Sequence, residues 1–322
     1  MTGGIRMSKN LKMAIVGAGA LGGTFGALLA DAGFDVTLIE IDKKRVDAIK
    51  KNGIVLYMPD GSVKKVKVKI TDNPKEVGIM DIVQISVKGY HTHSAATMAL
   101  PMVGDKTYVV SVQNGIGNLE TIANVVGKEK VVGGVTAHSA MPISLYEIRY
   151  AGGMGGLWIG RYDGTKDKRL EEIAELFNKA GFTTEIISGN VEVPIWRKLL
   201  ANVSCNAVAA LTGFTGNQLL GCEHTRELII KLAEETAEVA KAKGLEFEEL
   251  KFAGAFVLKA LSGVKDNKIS MLQDVEAKRR TEIDTLNGAI VREGGKFGVK
   301  TPYNETITYL IKALEQKMLW EK

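Results

Sequence analysis

The sequence predicts a doubly wound α/β sheet in the first part of the chain and an all-helical region after it. Short Val- and Ile-rich runs alternate with helix-compatible stretches up to about residue 188, which is typical of a parallel sheet covered by helices on both faces. Beyond Gly189 the strand-like runs disappear and apolar residues recur at helical spacing. We therefore expect two domains, 1–189 and 190–322.

The predicted strands are short and apolar, and they span Met13–Val16, Val36–Ile39, Lys64–Ile70, Ile82–Val87, Tyr108–Val112, Val131–Thr136, Leu145–Tyr150, Gly156–Ile159 and Thr183–Ile187. The predicted helices of the first domain span Ala20–Ala32, Lys43–Lys51 and Lys166–Ala180. Those of the second domain span Val191–Leu211, Thr225–Lys243, Phe247–Lys259, Ser270–Glu293 and Thr301–Glu315.

Size, charge and cysteine content exclude several classes of protein. The 322 residues suit two domains of about 150 residues each. The 42 basic and 37 acidic residues are scattered, without the clusters expected of a nucleic-acid surface. No apolar run approaches the roughly 20 residues of a membrane span. Cys205 and Cys222 lack metal or redox spacing, and Met1–Asn10 has no apolar signal region, so we expect a cytoplasmic protein.

A glycine-rich turn follows the first predicted strand and opens the first predicted helix. It has the form G-x-G-x-x-G and consists of Gly17, Ala18, Gly19, Ala20, Leu21 and Gly22. In this context the glycines permit a tight turn, a close approach of backbone to a pyrophosphate, and close packing of helix on strand. The turn therefore predicts a Rossmann-type dinucleotide-binding domain.

The residue at the end of the second predicted strand indicates which dinucleotide is preferred. Glu40 lies eighteen residues after Gly22. An acidic side chain there accepts hydrogen bonds from a ribose 2′-hydroxyl and repels a 2′-phosphate, which favours NAD. Three basic residues that could bind a phosphate follow at once, namely Lys43, Lys44 and Arg45. NADP therefore stays open as the alternative.

Three polar side chains are spaced four residues apart in the first helix of the second domain. Lys198, Asn202 and Asn206 form one stripe that drifts by about 40° per step. The stripe lies either in solvent or at a site, because burying such groups without partners costs several kcal/mol, roughly. At a site, an ammonium can stabilise negative charge that develops on a neighbouring oxygen and can donate a proton to that oxygen.

The chain resembles the ketopantoate reductase family over nearly its whole length. The segments that carry the resemblance are Met13–Gly23, Ser86–Lys88, Gln113–Gly115, Trp196–Asn202, Asn206, Ser270–Asp274, Arg280–Asp284, Leu286–Gly288 and Thr301–Pro302. The resemblance implies a 6-phosphogluconate-dehydrogenase-like fold, a Rossmann-type domain followed by an all-α domain. It also implies reduction of ketopantoate to pantoate by NADPH or NADH, on the route to coenzyme A.

The resemblance assigns roles to individual residues. It makes Lys198 the general acid and Glu282 a second catalytic residue, which contacts the nicotinamide ribose and helps to orient the substrate near Lys198. The resemblance also assigns cofactor contacts to Lys88, Asn114 and the backbone of Ala140. Lys88 and Asn114 each follow a predicted strand, at the edge where open α/β sheets bind ligands. The substrate contacts that the resemblance implies are made by Asn114, Asn202, Asn206, Asn267 and Ser270.

Some local patterns allow other interpretations. Ser270 and Gln273 also form a capping-box pattern at a helix start. His91 and His93 have strand-like spacing without a third ligand, so no metal site is expected. His138 could serve as the proton donor of a lactate-type dehydrogenase, although a structural role or a role at the edge of the cofactor is the preferred interpretation.

Other functions and assemblies also stay open. The family has a further asparagine after the general-acid helix, and the chain departs from this pattern in the segment 212–217, which leaves the substrate open. An NAD-dependent dehydrogenase of D-2-hydroxy acids is the second candidate, and a non-catalytic dinucleotide sensor is the third. We expect a small-molecule 2-oxo acid as the partner, with neither nucleic acid nor membrane. A homodimer is left open.

Overall fold

The computed structural model describes residues 11–320, so the segment Met1–Asn10, in which no signal region is predicted, lies outside the described residues. The chain divides into two compact units. The first comprises residues up to Gln113 together with Asn118–Val191, and the second comprises Asn114–Gly117 together with residues from Glu192 onward. A four-residue loop of the first half of the sequence thus belongs to the second unit.

The first unit is an α/β structure. Its strands are β1 (Lys12–Val16), β2 (Asp35–Ile39), β3 (Ile54–Tyr57), β4 (Val63–Val66), β5 (Lys69–Thr71), β6 (Met80–Ile85), β7 (Val103–Ser111), β8 (Val131–Pro142), β9 (Glu147–Arg161) and β10 (Thr184–Ile186). Its α-helices are α1 (Ala20–Asp31), α2 (Lys43–Asn52), α3 (Thr92–Ala99), α4 (Asn118–Val126) and α5 (Lys168–Lys179).

The strands of the described residues form one sheet in the order β4-β3-β9-β8-β7-β6-β1-β2-β5, with β10 added beside β9. The pairs around β1 are parallel, because each strand returns through a crossover connection. The sheet is mixed, however, since β8 and β9 pair antiparallel across a short turn, as do β3 and β4. The predicted parallel arrangement therefore holds for the remaining pairs of the described strands, including β3–β9 and β9–β10, and fails for these two.

Several predicted elements differ from those observed. Strand β3 was not predicted, and the predicted strand Lys64–Ile70 is two strands. The two predicted strands between residues 145 and 159 are one continuous β9, because the glycines inside it bend the strand without ending it. The strand-like spacing of His91 and His93 is also misleading, since these residues lie at the start of helix α3.

The core of the first unit forms where α1 and α5 pack on the sheet. Phe25 of α1 stacks on Phe182, with ring centroids 4.3 Å apart, and Phe177 meets both rings edge-on. At the start of α5 the Asp167 side chain accepts a hydrogen bond from the Leu170 amide and so caps the helix. This packing fixes α1, and with it the turn that precedes α1.

The second unit is helical. Its α-helices are α6 (Glu192–Thr212), α7 (Gly216–Gly221), α8 (Glu223–Ala242), α9 (Ala253–Ser262), α10 (Ser270–Glu276), α11 (Asn287–Phe297) and α12 (Pro302–Trp320). Helix α6 runs through the centre of this unit, with Trp196, Leu200 and Val203 fully buried. Among the described residues, no helix combines the length and apolar character that crossing a bilayer requires.

The long helix predicted from Ser270 to Glu293 is interrupted. It ends at Glu276, where Lys278 adopts a left-handed backbone with φ of 50° and the Arg279 amide donates to Asp274 O. A short 3-10 turn, Ile283–Thr285, then leads into α11. The single-helix prediction was wrong because apolar residues keep their helical spacing across the break. The change of backbone direction at Lys278 does not alter this spacing and so could not be predicted from it.

Candidate functional site

The glycine-rich turn after β1 has the geometry that its sequence predicts. Gly17 has φ of +100°, a conformation that L side chains rarely adopt. A Cβ on Gly22 would lie 2.0 Å from Gly17 O, so only glycine lets α1 begin this close to the turn. A Cβ on Gly19, in contrast, would meet nothing within 4 Å. The space beside Gly19, at the amino end of α1, is thus open for a negatively charged group.

Glu40 follows β2 and contacts the same turn. Its Oε2 accepts a hydrogen bond from the Ala18 amide at 3.1 Å, and its Oε1 accepts one from the Asp42 amide at 3.1 Å. The Arg45 Nε lies 3.6 Å from Glu40 Oε2, and its Nη1 lies 3.5 Å from Ala18 O and 3.4 Å from Leu145 O. The carboxylate is therefore fixed beside the glycines and partly neutralised by one arginine.

Arg45 was not singled out among the three basic residues that follow Glu40. Lys43 and Lys44 are exposed, whereas Arg45 is half-buried at the carboxylate. Arg45 is the third residue of α2, and at this position its side chain lies beside Glu40. The predicted start of α2 at Lys43 is therefore the signal that could have identified Arg45.

Two further residues predicted for the cofactor, Lys88 and Ala140, lie in the first unit. Lys88 follows β6 and is half-buried. The loop around it is held by Gln113, whose Nε2 donates to Val87 O at 2.7 Å and to Thr92 Oγ1 at 3.0 Å. Ala140 lies in β8, paired with Tyr150 of β9. The open turn, the helix terminus and the acidic strand end together fit a dinucleotide.

The second unit brings Lys198 and Asn114 together. The Lys198 Nζ donates to Asn114 Oδ1 at 2.7 Å. Part of the Lys198 residue is exposed, but its ammonium group is surrounded by protein atoms. Burial therefore lowers the pKa of Lys198 to about 8, opposed by the carboxylate of Glu282, which is itself only 8% exposed. An ammonium with this pKa is mostly protonated at neutral pH and can still release its proton.

The polar stripe predicted on α6 is present. Asn202 is half-buried, Asn206 is 5% exposed, and Asn206 Nδ2 lies 3.4 Å from Ser270 Oγ at the start of α10. A hydrogen bond thus links Asn206 of α6 to Ser270 of α10. The structure does not join Asn267 to this pair by a hydrogen bond, because the exposed Asn267 side chain donates to Val264 O within its own turn.

The capping-box prediction at the start of α10 is wrong. The capping box of Ser270 and Gln273 does not form, because Ile269 occupies the N-cap position and Gln273 Nε2 donates to Lys268 O instead. The serine hydroxyl is engaged with Asn206 rather than with its own helix. In the divergent segment, Asn217 is exposed in α7 and its side chain donates to Asp266 Oδ1 at 2.9 Å.

His138, considered as an alternative proton donor, lies in the first unit among aromatic rings. Its Nδ1 is 2.6 Å from Tyr150 Oη, and the rings of Phe25 and Phe182 meet it edge-on. Burial lowers the pKa of His138, so the neutral imidazole is favoured. These surroundings suit a structural residue of the sheet.

The loop Asn114–Gly117 is fixed by a residue that the sequence did not indicate. The Ile116 amide donates to Thr285 O at 3.1 Å, and Gly115 lies against the same carbonyl. Thr285 is in the 3-10 turn that begins directly after Glu282. An Asn-Gly pair after a strand could have indicated the left-handed turn, but not the carbonyl it packs against.

Sequence profiles of one family match both parts of the chain. The profile described as Ketopantoate reductase PanE/ApbA matches residues 13–164, and the one described as Ketopantoate reductase PanE/ApbA C terminal matches residues 190–315. A protein of Archaeoglobus fulgidus named 2-dehydropantoate 2-reductase is 33% identical over 304 residues, covering 94% of this chain and 98% of that relative.

Solved structures are similar over almost the full length. A PanE/ApbA family ketopantoate reductase from Ralstonia eutropha JMP134 matches with a TM-score of 0.87 and 30% identity, covering 96% of this chain and 100% of that one. A D-mandelate dehydrogenase in complex with NADH and anilino(oxo)acetate matches with a TM-score of 0.88 and 25% identity, covering 96% and 99%.

Proposed function

The chain belongs to the ketopantoate reductase family, and from this premise we propose that it reduces 2-dehydropantoate to pantoate with a nicotinamide dinucleotide. The observation that carries the proposal is the crowded Lys198 ammonium, hydrogen-bonded to Asn114 and close enough to Glu282 for that carboxylate to raise its pKa. We further propose that residues 1–189 form the dinucleotide-binding domain and that residues 190–322 form the catalytic domain.

Lys198 supplies the proton in this reaction. When bound, the nicotinamide dinucleotide supplies the hydride. Negative charge that develops on the substrate carbonyl oxygen is stabilised by the ammonium, which then donates its proton to that oxygen. Asn114 Oδ1 accepts a hydrogen bond from the ammonium and so fixes its direction. Glu282 keeps the ammonium charged, because a nearby carboxylate favours the protonated form.

The substrate is held by neutral polar groups in this proposal. Asn202 and Asn206 on α6, together with Ser270 at the start of α10, bind its carboxylate and hydroxyl groups. Asn267 binds from the adjoining turn after a change of rotamer. Amides and hydroxyls suit this role because they bind an anion without cancelling the charge of Lys198.

The glycine-rich turn and Glu40 of the first unit would hold the dinucleotide. Gly19 and the amino end of α1 would hold its pyrophosphate. The residues proposed to contact it are Gly17, Ala18, Gly19, Ala20, Leu21, Gly22, Glu40, Lys88, Asn114, Ala140 and Glu282. The fixed carboxylate of Glu40 supports NAD rather than NADP, because it accepts from a ribose 2′-hydroxyl and repels a 2′-phosphate.

One observation favours a second candidate function, an NAD-dependent dehydrogenase of D-2-hydroxy acids. The D-mandelate dehydrogenase structure contains NADH and an aryl-substituted oxo acid analogue, and the acidic Glu40 agrees with that cofactor. Both functions use the same proton donor and differ in the group attached to the 2-oxo acid.

A panel of 2-oxo acids assayed with NADH and with NADPH separates the candidates. We expect ketopantoate to give the highest kcat/KM. Failure of ketopantoate with turnover of benzoylformate or branched 2-oxo acids would instead assign the second function. A protein that binds dinucleotide but turns over no member of the panel would be the non-catalytic sensor.

Changing Glu40 to glutamine is expected to shift cofactor preference toward NADP. Glutamine can still accept from the Ala18 amide, but it no longer repels a phosphate or neutralises Arg45. A charge-assisted contact of Arg45 with the phosphate contributes about 1.5–3 kcal/mol, which corresponds to roughly 10-fold to 10²-fold in the NADH/NADPH ratio of kcat/KM. The Glu40→Gln/Arg45→Ala double variant should lose this gain. Unchanged cofactor selectivity in Glu40→Gln contradicts the assignment.

A further inference from the structure

The loop Asn114–Gly117 is anchored on the second unit at three points. Lys198 Nζ donates to Asn114 Oδ1, the Ile116 amide donates to Thr285 O, and the Ile116 side chain packs on the helical core. The flanking residues, Gln113 and Asn118, belong to the first unit. These contacts, rather than the adjoining strand, therefore determine where Asn114 lies relative to Lys198.

Gly115 is the point of closest approach in this loop. It has φ of +84°, and a Cβ at this position would lie 2.3 Å from Thr285 O and 2.9 Å from Thr285 C. Both atoms are backbone, so they cannot move aside as the end of a flexible side chain can. Any residue other than glycine must therefore lift the loop away from Thr285.

The turn that contacts Gly115 is held by two hydrogen bonds to one carbonyl oxygen. The Thr285 amide donates to Glu282 O at 3.0 Å, and the Thr285 hydroxyl lies 3.2 Å from the same oxygen. Glu282 is the charged residue whose carboxylate acts on the Lys198 ammonium. The same turn of backbone thus carries two groups. One is the Glu282 carboxylate, which raises the pKa of Lys198, and the other is the Thr285 carbonyl, which the Asn114–Gly117 loop contacts.

We propose that Gly115 is a positioning residue, whose contact with the Thr285 carbonyl holds Asn114 Oδ1 on the Lys198 ammonium and so aims that ammonium for proton transfer. The inference rests on the proposed role of Lys198 as the general acid. Gly115 acts through Asn114 and does not itself contact the substrate.

Replacing Gly115 by alanine tests the inference. Displacing the acceptor by about 1 Å should lower kcat about 10²-fold, with a smaller change in KM for the 2-oxo acid. The ammonium also loses an acceptor that favours its charged form, so the alkaline limb of kcat should move to lower pH by about 1. Gly298→Ala is the matched control, because Gly298 has φ of +70° with nothing within 4 Å of a Cβ. It should leave kcat within about twofold and the limb unmoved.

A second measurement does not depend on turnover. Titration of ¹³Cε-labelled lysine by NMR, with the Lys198 signal assigned by its absence in Lys198→Ala, reports the protonation of that side chain directly. The midpoint should be lower in Gly115→Ala than in the wild type. If ketopantoate and all other 2-oxo acids fail as substrates, the proposed function fails while this titration still tests the positioning of Lys198.

Two further variants exclude a general loss of structure. Ile116→Ala trims the anchoring side chain without adding a clash, and it should move the midpoint in the same direction by less. In an Asn114→Ala background, Gly115→Ala should cost little additional kcat, because the acceptor that Gly115 positions is already absent. Additive losses in this cycle, or unmoved midpoints in both Gly115→Ala and Ile116→Ala, would overturn the proposal.

Discussion

Lys198→Ala is expected to lower kcat for reduction of the 2-oxo acid by about 10²-fold to 10⁴-fold, the range of a lost general acid. The Kd of the dinucleotide should change little, because Lys198 is not among the residues proposed to contact it. Steady-state kinetics together with cofactor titration by fluorescence measure the two quantities separately. Lys231→Ala, at an exposed lysine of α8, is the control and should leave kcat within about twofold.

The pH dependence provides an independent check on the same residue. In the proposed mechanism reduction requires protonated Lys198, whose pKa burial lowers to about 8, so kcat should be constant at lower pH and fall as pH rises through about 8. Oxidation of the hydroxy acid requires the neutral amine and should rise over the same range. Lys198→Arg, which stays charged throughout, should lack both limbs. A wild-type profile without a limb near pH 8, or a Lys198→Ala enzyme with wild-type turnover, is incompatible with the assignment.

Alanine substitutions at Gly19 and Gly22 are expected to have different effects, although both change a glycine of the same turn. A Cβ at Gly22 would lie 2.0 Å from Gly17 O. Gly22→Ala should therefore displace α1 and destabilise the protein by about 1–3 kcal/mol, with loss of dinucleotide binding. A Cβ at Gly19 enters open space. Gly19→Ala should keep the free energy of unfolding and raise the dinucleotide Kd by about 10-fold to 10²-fold, because the methyl group occupies the pyrophosphate position.

Urea unfolding and calorimetric titration with the dinucleotide measure this pair of effects. Gly33→Ala is the control for alanine at a left-handed glycine, since Gly33 has φ of +87° with nothing within 4 Å of a Cβ and lies at the far end of α1. It should reduce stability without changing affinity. A Gly19→Ala protein that binds the dinucleotide as tightly as the wild type would show that the pyrophosphate does not approach Gly19.

The family and the main elements of the fold could be predicted from the sequence because their signals are local. The turn from Gly17 to Gly22 follows an apolar strand and precedes a helix, as it does in the structure. The stripe of Lys198, Asn202 and Asn206 depends only on the 3.6-residue period of α6. In the sheet, strand β9 was divided and β3 was missed, because glycines and short runs conceal strands that tertiary pairing stabilises.

By itself the sequence determined the groups available to the protein, which are a glycine-rich turn between a strand and a helix, a carboxylate at the end of the second strand, and a lysine in an apolar helix. Tertiary structure alone decided how those groups are arranged. The loop that carries Asn114 contacts Thr285 and belongs to the second unit, although the strand that precedes it belongs to the first. Arg45 lies beside Glu40. Such contacts join backbone atoms and side chains far apart in the chain. Their identity therefore depends on how close two segments can approach, a property that residue spacing does not encode.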